Sequence, residues 1–317
     1  RMNDVIQHFE ISNQHIQEVS PGKGNWLVLK DTTKEEQEEI IKNYRLPQNI
    51  FVGGNHAEEV SRLEPLENIA LNNSYALGVT NLSAEKKEQI EERLEPLIFI
   101  ISDSLLITHV GKESTFIDRL LEKYHEKIHT FAELISYGIY MLYTHYIEEL
   151  LEIKKDIDEL DVAARKTTEN DALFKLADTE RKIVYLDHTL ADQKSTLNGL
   201  WENESFIQDL NDSKLVYDIQ LHQKHAEKLI HIYRDLLETV GGLFTDMMDN
   251  NLNHLMKYLD SAALIISIPA LISGIWGMNT GGLPGKGSSI GFFMVVGVAV
   301  LLAIIVAVHL NRKDFSK

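Results

Sequence analysis

From Ser261 to Gly285, and again from Ser288 to Leu310, the chain carries no Asp, Glu, Lys or Arg. Crossing roughly 30 Å of hydrocarbon takes about 20 residues of α-helix, and each run is long enough. A soluble core also buries apolar helices, but two charge-free runs of this length in tandem are not its pattern, least of all in a chain that is 25% charged. We therefore read two transmembrane helices, TM1 over 259–278 and TM2 over 290–310. They are joined by an external loop over 279–289 and followed by a basic tail over 311–317. Arg312, Lys313 and Lys317 follow the second run, whereas the connection offers only Lys286. The side richer in Lys and Arg is the cytoplasmic one, so both termini are expected in the cytoplasm of a multi-pass protein of the cell membrane.

The residues before the first run read as a cytoplasmic part. "NWLVLKD" (25–31), "SYALGVTNL" (74–82), "PLIFIIS" (96–102) and "SLLITHV" (104–110) are short apolar, β-branched runs between turn formers, and predict strands. "TTKEEQEEIIKNY" opens on Thr and acidic residues and predicts a capped helix between the first two. Beyond Lys112 apolar residues recur at three and four among charges, without a proline from Pro96 to Pro269. That is helical composition. The expected division is an N-terminal α/β domain over 1–111, a helical region and stalk over 112–258, and a membrane domain over 259–317.

Charge and composition limit the chemistry. A formal net charge of −17 repels phosphate backbones and draws in cations, so nucleic acid is not an expected partner. With no cysteine, a metal ion can be held only by oxygen, by imidazole or through its own water, which favours hard cations. No GxxxxGK[ST] loop, HExxH pair or nucleophile–base pattern is present, so neither a nucleotide nor an enzymatic reaction is expected.

Between Asp212 and Met278 only Gly241, Gly242, Pro269, Gly274 and Gly277 interrupt helical composition. One helix could therefore run roughly 100 Å, at about 1.5 Å per residue, as a stalk that becomes the first membrane helix. Along it Asn253, Met256, Asp260, Ala263, Ser267, Ala270 and Gly274 follow one another at steps of three and four. This is the a/d spacing of a face that meets like neighbours. A polar, small-residue face of this kind suits a pore, and a closely packed helix seam uses the same residues. Asp260 favours the pore, since a carboxylate at the edge of a span normally faces water or a pathway. An interfacial anchor is the other reading. Leu264 and Ile265 are placed on the opposite face.

"GMN" (277–279) at the end of the first membrane helix, the upstream "NHLMKYL" (253–259) and the two-helix tail with a basic end resemble the CorA family of divalent-metal transporters. The likeness extends to "NWLVLKDTTKEE", similar to that family's Trp-containing strand and following helix, and to "PLIFIISDSLLITHV", similar to its central hairpin. It implies a homopentamer. Each subunit would have an α/β cytoplasmic funnel domain and a long stalk helix continuing into a two-helix membrane domain surrounded by lipid. Gly277, Met278 and Asn279 would form the selectivity filter, and the seven-residue stripe would line the pore.

Such a filter makes physical sense for Mg²⁺, which gives up its octahedral waters reluctantly. Five Asn279 amide oxygens would accept hydrogen bonds from the bound waters without the full charge that traps an ion. Gly277 permits the close turn out of the helix, and Met278 serves packing better than ligation. Counting back from GMN, the resemblance also implies regulatory divalent-metal binding at Asp218 and His222. Asp246 and Asp249 extend the pore stripe into the cytoplasmic funnel, where they would collect ions or stand as solvated charges. A solvated pair one turn apart would have the same spacing at Asp218 and His222. "TGGLPGKGSS" departs from the family in having no acidic residue after the motif. Zn²⁺, Co²⁺ or Ni²⁺ therefore stand beside Mg²⁺ as candidate cargo, with proton coupling as a variant. A membrane-anchored sensor that transports nothing is the alternative class.

Overall fold

The computed structural model describes residues 6–12, 15–51, 60–67, 69–85, 87, 89–166, 170–278, 282–283, 285 and 287–312. It divides after Gly241 into two units, Arg1–Gly241 and Gly242–Lys317.

In the first unit a seven-stranded sheet has the order β2-β1-β3-β7-β6-β5-β4. The strands are β1 (Ile6–Ile11), β2 (Ile16–Glu18), β3 (Trp26–Lys30), β4 (Arg62–Pro65), β5 (Tyr75–Leu82), β6 (Leu94–Ile101) and β7 (Leu106–Val110). Only β3 and β7 pair in parallel, with Val28 beside Thr108; the other neighbours are antiparallel. The four strands expected from composition are all present. β1, β2 and β4 were not anticipated, and each is partly exposed and mixed in composition. β6 and β7 form the hairpin expected at 96–110, closed by Ser102, whose N–H donates to Leu105 O at 3.1 Å and whose hydroxyl accepts from Leu105 N at 3.0 Å.

Helix α1 (Lys34–Tyr44) covers one face of the sheet, and Ile40 and Ile41 join a core with Leu27, Leu29, Ile98, Ile100 and Ile107. The Thr33 hydroxyl accepts from Glu36 N, and the Glu36 carboxylate accepts from Thr33 N at 2.7 Å. This capping box satisfies two otherwise unpaired donors. Because side chains alternate along a strand, Trp26, Val28, Phe99 and Thr108 point to the opposite face. There the buried Trp26 indole donates to Thr108 Oγ1 at 2.9 Å.

The remaining helices of this unit are α2 (Phe116–Tyr124), α3 (Phe131–Ala164), α4 (Asn170–Trp201), α5 (Glu204–Leu210) and the first part of α6 (Ser213–Trp276). α3 opens with a second capping box, Thr130 with Glu133, and Asp212 caps α6 by accepting from Leu215 N at 2.9 Å. The buried positions repeat at three and four. They are Tyr143, Tyr146, Leu150, Ile153, Ile157 and Leu160 on α3, and Leu176, Thr179, Ile183, Leu186, Leu190, Gln193 and Leu197 on α4. On α6 they are Leu215, Ile219, Gln223, Ala226, Ile230, Tyr233 and Leu237. Apolar faces of this period pack as a coiled coil. Its flanks carry Lys194–Glu227 at 2.9 Å and Arg234–Asp187 at 3.0 Å between α4 and α6.

The second unit holds the rest of α6 and α7 (Ser289–Arg312). Two helices are long and apolar enough to cross a membrane, with peak mean hydropathy of 1.7 in α6 and 3.0 in α7. Met278 and Gly277 lie just past the end of α6, and α7 begins at Ser289.

Candidate functional site

The C-terminal part of α6 has two different faces. Asn253, Met256, Asp260, Ala263, Ser267, Ala270 and Gly274 are all exposed in the single chain, whereas Ala262, Ile265, Ile268, Pro269 and Ile272 are half-buried. At 100° per residue the seven share one side of the helix. Ile265 stands opposite them as expected. Leu264 does not: it lies to one side and is 50% exposed, because one residue's rotation from Ile265 takes it off the covered face.

Pro269 has no N–H and cannot bond the Ile265 carbonyl, so one helical bond is missing on the half-buried face, opposite the stripe. The Ser267 hydroxyl donates to Leu264 O at 2.8 Å, which holds the side chain down on the helix and keeps the face smooth. At Gly274 an added Cβ would meet nothing within 4 Å, so this position is open rather than packed.

The helix ends on the GMN motif. Gly277 N donates to Ser273 O at 2.8 Å and Met278 N to Ile275 O at 3.2 Å, the second a tightened terminal bond. A Cβ on Gly277 would press on Ser273 O at 3.1 Å, so close approach to a carbonyl is what glycine permits here. Met278 is 51% exposed. Asn279 lies outside the described residues, as do Thr280, Lys286 and the 313–317 tail.

In the first unit Asp218 and His222 occupy successive turns of α6, both half-buried. His222 Nδ1 lies 2.9 Å from the Asp218 carbonyl oxygen, so Nδ1–H donates and the neutral ring keeps its lone pair on Nε2. A metal-binding imidazole is typically oriented in this way, by a backbone acceptor on its other nitrogen. The ring packs against Tyr140 of α3 at 4.6 Å between centroids. Asp246 and Asp249 are exposed on α6 in the second unit. Among the described residues no three His, Asp or Glu side chains gather as a metal cluster.

The acidic segment of α3 is differently disposed. Glu152 pairs with Lys155 at 2.7 Å, Asp156 with Lys175 at 3.0 Å and Lys182 at 3.3 Å, and Asp161 with Arg165 at 3.0 Å. Asp158 pairs with Lys154, Glu159 with Lys175, and Glu149 with the buried Arg93 at 2.8 Å. These carboxylates already have cations. Sequence spacing shows only the local pairs at three and four residues, since Lys175, Lys182 and Arg93 come from other elements.

The profile of the family described as CorA-like Mg²⁺ transporter protein matches residues 22–312. The cobalt/magnesium transport protein CorA of Methanocaldococcus jannaschii is 22% identical over 301 residues, covering 91% of this chain and 90% of that protein. The protein of the same description from Thermotoga maritima is 22% identical over 185 residues, 58% of this chain and 53% of that one. The complete structure of the CorA magnesium transporter from Methanocaldococcus jannaschii has a TM-score of 0.77 at 18% identity, covering 99% of this chain and all of that one. With an α/β sheet domain, a long helix and a C-terminal apolar helix in that order, the chain belongs to the CorA-like Mg²⁺ transporter family.

Proposed function

We propose that the protein is a homopentameric divalent-cation channel that carries Mg²⁺ passively into the cell. The observation that carries this reading is the exposed stripe from Asn253 to Gly274, which is polar and small, spans the apolar half of α6 and leads into GMN. Among the described residues of a single chain nothing covers it. Five such stripes around a common axis would enclose a narrow path, with α7 outside.

At the end of that path a ring of Asn279 amides would bind the hydration shell of Mg²⁺, an ion that keeps its waters. Moving two charges through 100 mV supplies about 4.6 kcal/mol, enough to drive entry without ATP. The protein works as a transporter rather than an enzyme, with the cation as cargo. Asp218 and His222 would bind cytosolic divalent metal, a role supported by their placement on successive turns of α6 and by the bond from His222 Nδ1–H to the Asp218 carbonyl.

The test is flux into vesicles reconstituted with the full-length protein, with Mg²⁺, Co²⁺, Zn²⁺ and Ni²⁺ in turn. Mg²⁺ uptake that follows the imposed membrane potential is expected. Zn²⁺ flux that tracks a pH gradient at clamped voltage would assign the protein to a proton-coupled zinc pathway instead, and absence of all flux would leave a membrane-anchored sensor. Asn279→Ala is expected to lose discrimination among cations while the oligomer still assembles.

A further inference from the structure

The imidazole of His222 is held by more than its own helix. Its ring lies against Tyr140 of α3, with 4.6 Å between ring centroids and 53° between the planes. One residue further along α6, the buried Gln223 donates from Nε2 to the Tyr143 hydroxyl at 3.2 Å. Tyr143 follows Tyr140 by three positions, which puts both on one side of α3. Two neighbouring residues of α6 thus meet two positions on one face of α3, and this fixes the rotation of α6 about its axis at the level of His222.

Tyr140 is itself braced. The ring of Tyr124, the last residue of α2, meets it edge-on, with 6.5 Å between centroids and 90° between the planes. Tyr124 is buried and stacks on Tyr137 at 4.8 Å, so it cannot move aside without breaking a second contact. His225 and His231, further along the same helix, are exposed instead. A braced imidazole is therefore not a general property of α6.

We propose that Tyr140 is a positioning residue for the regulatory metal site: its ring holds the His222 imidazole in the orientation in which Nδ1–H bonds the Asp218 carbonyl and Nε2 is the nitrogen offered to a metal. The inference rests on the reading of Asp218 and His222 as that site. The pair suits a divalent ion, since a backbone acceptor on the second nitrogen is how ligating imidazoles are commonly set. A histidine on an open helix surface samples several rotamers, and ligation confines it to one. A ring already confined by Tyr140 loses less freedom on binding, and its affinity for the ion is higher for that reason.

Ni²⁺ is the probe, because it takes imidazole readily. Its binding to the detergent-solubilised full-length protein is titrated by calorimetry, and the component lost in Asp218→Ala combined with His222→Ala is the signal of the site. Tyr140→Leu keeps apolar bulk but has no ring plane, whereas Tyr140→Phe keeps the ring and loses only the hydroxyl. The Kd of that component is expected to rise about tenfold in Tyr140→Leu, the effect of removing an orienting partner, and to stay at the wild-type value in Tyr140→Phe. Where thermal denaturation shows Tyr140→Leu to be unfolded, Tyr140→Met repeats the test with a more adaptable side chain. In the Asp218→Ala and His222→Ala background, Tyr140→Leu is expected to leave the remaining Ni²⁺ binding unchanged, which a general loss of packing would not. An unchanged Kd in folded Tyr140→Leu overturns the positioning role and leaves the metal site standing. A Kd raised as far in Tyr140→Phe as in Tyr140→Leu overturns the part given to the ring. If Asp218→Ala with His222→Ala removes no component of Ni²⁺ binding, the reading of the pair as the site fails, and the positioning role fails with it.

Discussion

Thr80 lies on β5 two residues beyond Gly78, the last position paired by β4, and so it has no strand on that side. Its N–H donates to Gln193 Oε1 at 3.2 Å, and its carbonyl accepts from the Tyr146 hydroxyl at 2.9 Å. Gln193 Nε2 in turn donates to the Tyr146 oxygen at 3.4 Å. One polar knot thus replaces the missing ladder and joins the sheet to α3 and α4. Gln193 is fully buried, so Gln193→Leu would strand the Thr80 amide. A loss of about 1–3 kcal/mol in the denaturation of the detergent-solubilised full-length protein is expected. An unchanged midpoint would mean that water enters and takes the place of the glutamine.

His109 is a second buried polar residue with a measurable signature. It is 7% exposed beside Phe51, and burial lowers its pKa to about 4. Unfolded, a histidine titrates near 6.5. Between these values the unfolded chain binds the extra proton, so stability is complete above about pH 6.5 and declines as pH falls towards about 4, then levels off. At pH 5 the loss from this one group is about 2 kcal/mol. His109→Gln should flatten that part of the stability profile, measured by denaturation of the same protein at pH 7 and pH 5. A slope identical to wild type would show that other groups set it.

At the scale of elements, β3, β5, β6 and β7 were legible because interior strands are buried on both faces and read as apolar runs. β1, β2 and β4 were not. "IQHFEI", "IQE" and "RLEP" have the mixed composition of strands with partial exposure, and their pairing is decided by neighbours rather than by their own residues. The stripe on α6 was legible since helical period alone places its members. Likewise the spacing of Asp218 and His222 was visible, but the bond from Nδ1 to the carbonyl depends on a rotamer. The two faces of α6 lead to a further expectation. Ser267→Leu, on the exposed stripe, should block vesicle flux, whereas Ile265→Leu, on the covered face, should change it little. Equal effects would mean that the stripe is a packing seam.

At the scale of the whole molecule, the proposed channel, driven only by the membrane potential, needs a way to stop, and the acidic character of the chain supplies candidates throughout. Several α3 carboxylates are already paired with cations: Asp156 is shared by Lys175 and Lys182, and Glu149 is held by Arg93. The regulatory pair proposed above is Asp218 and His222, where the Nδ1–H bond to the Asp218 carbonyl leaves Nε2 as the lone-pair nitrogen of the neutral ring. A divalent ion that binds these residues more tightly in the closed assembly than in the open one shifts the population towards closed, and one that binds both equally shifts nothing. A preference of about 2.7 kcal/mol, a factor of about 100, is enough to hold most channels shut. On that reading, removing the two side chains changes the concentration of internal Mg²⁺ needed for closure and not the choice among ions. Asp218→Ala combined with His222→Ala is expected to raise the half-inhibitory internal Mg²⁺ of vesicle flux at least about tenfold, a change of about 1.4 kcal/mol, with the Mg²⁺ to Ca²⁺ ratio unaltered. An unmoved inhibition curve would place the sensor elsewhere, with Asp246 and Asp249 the next positions to substitute, and would leave the filter reading intact.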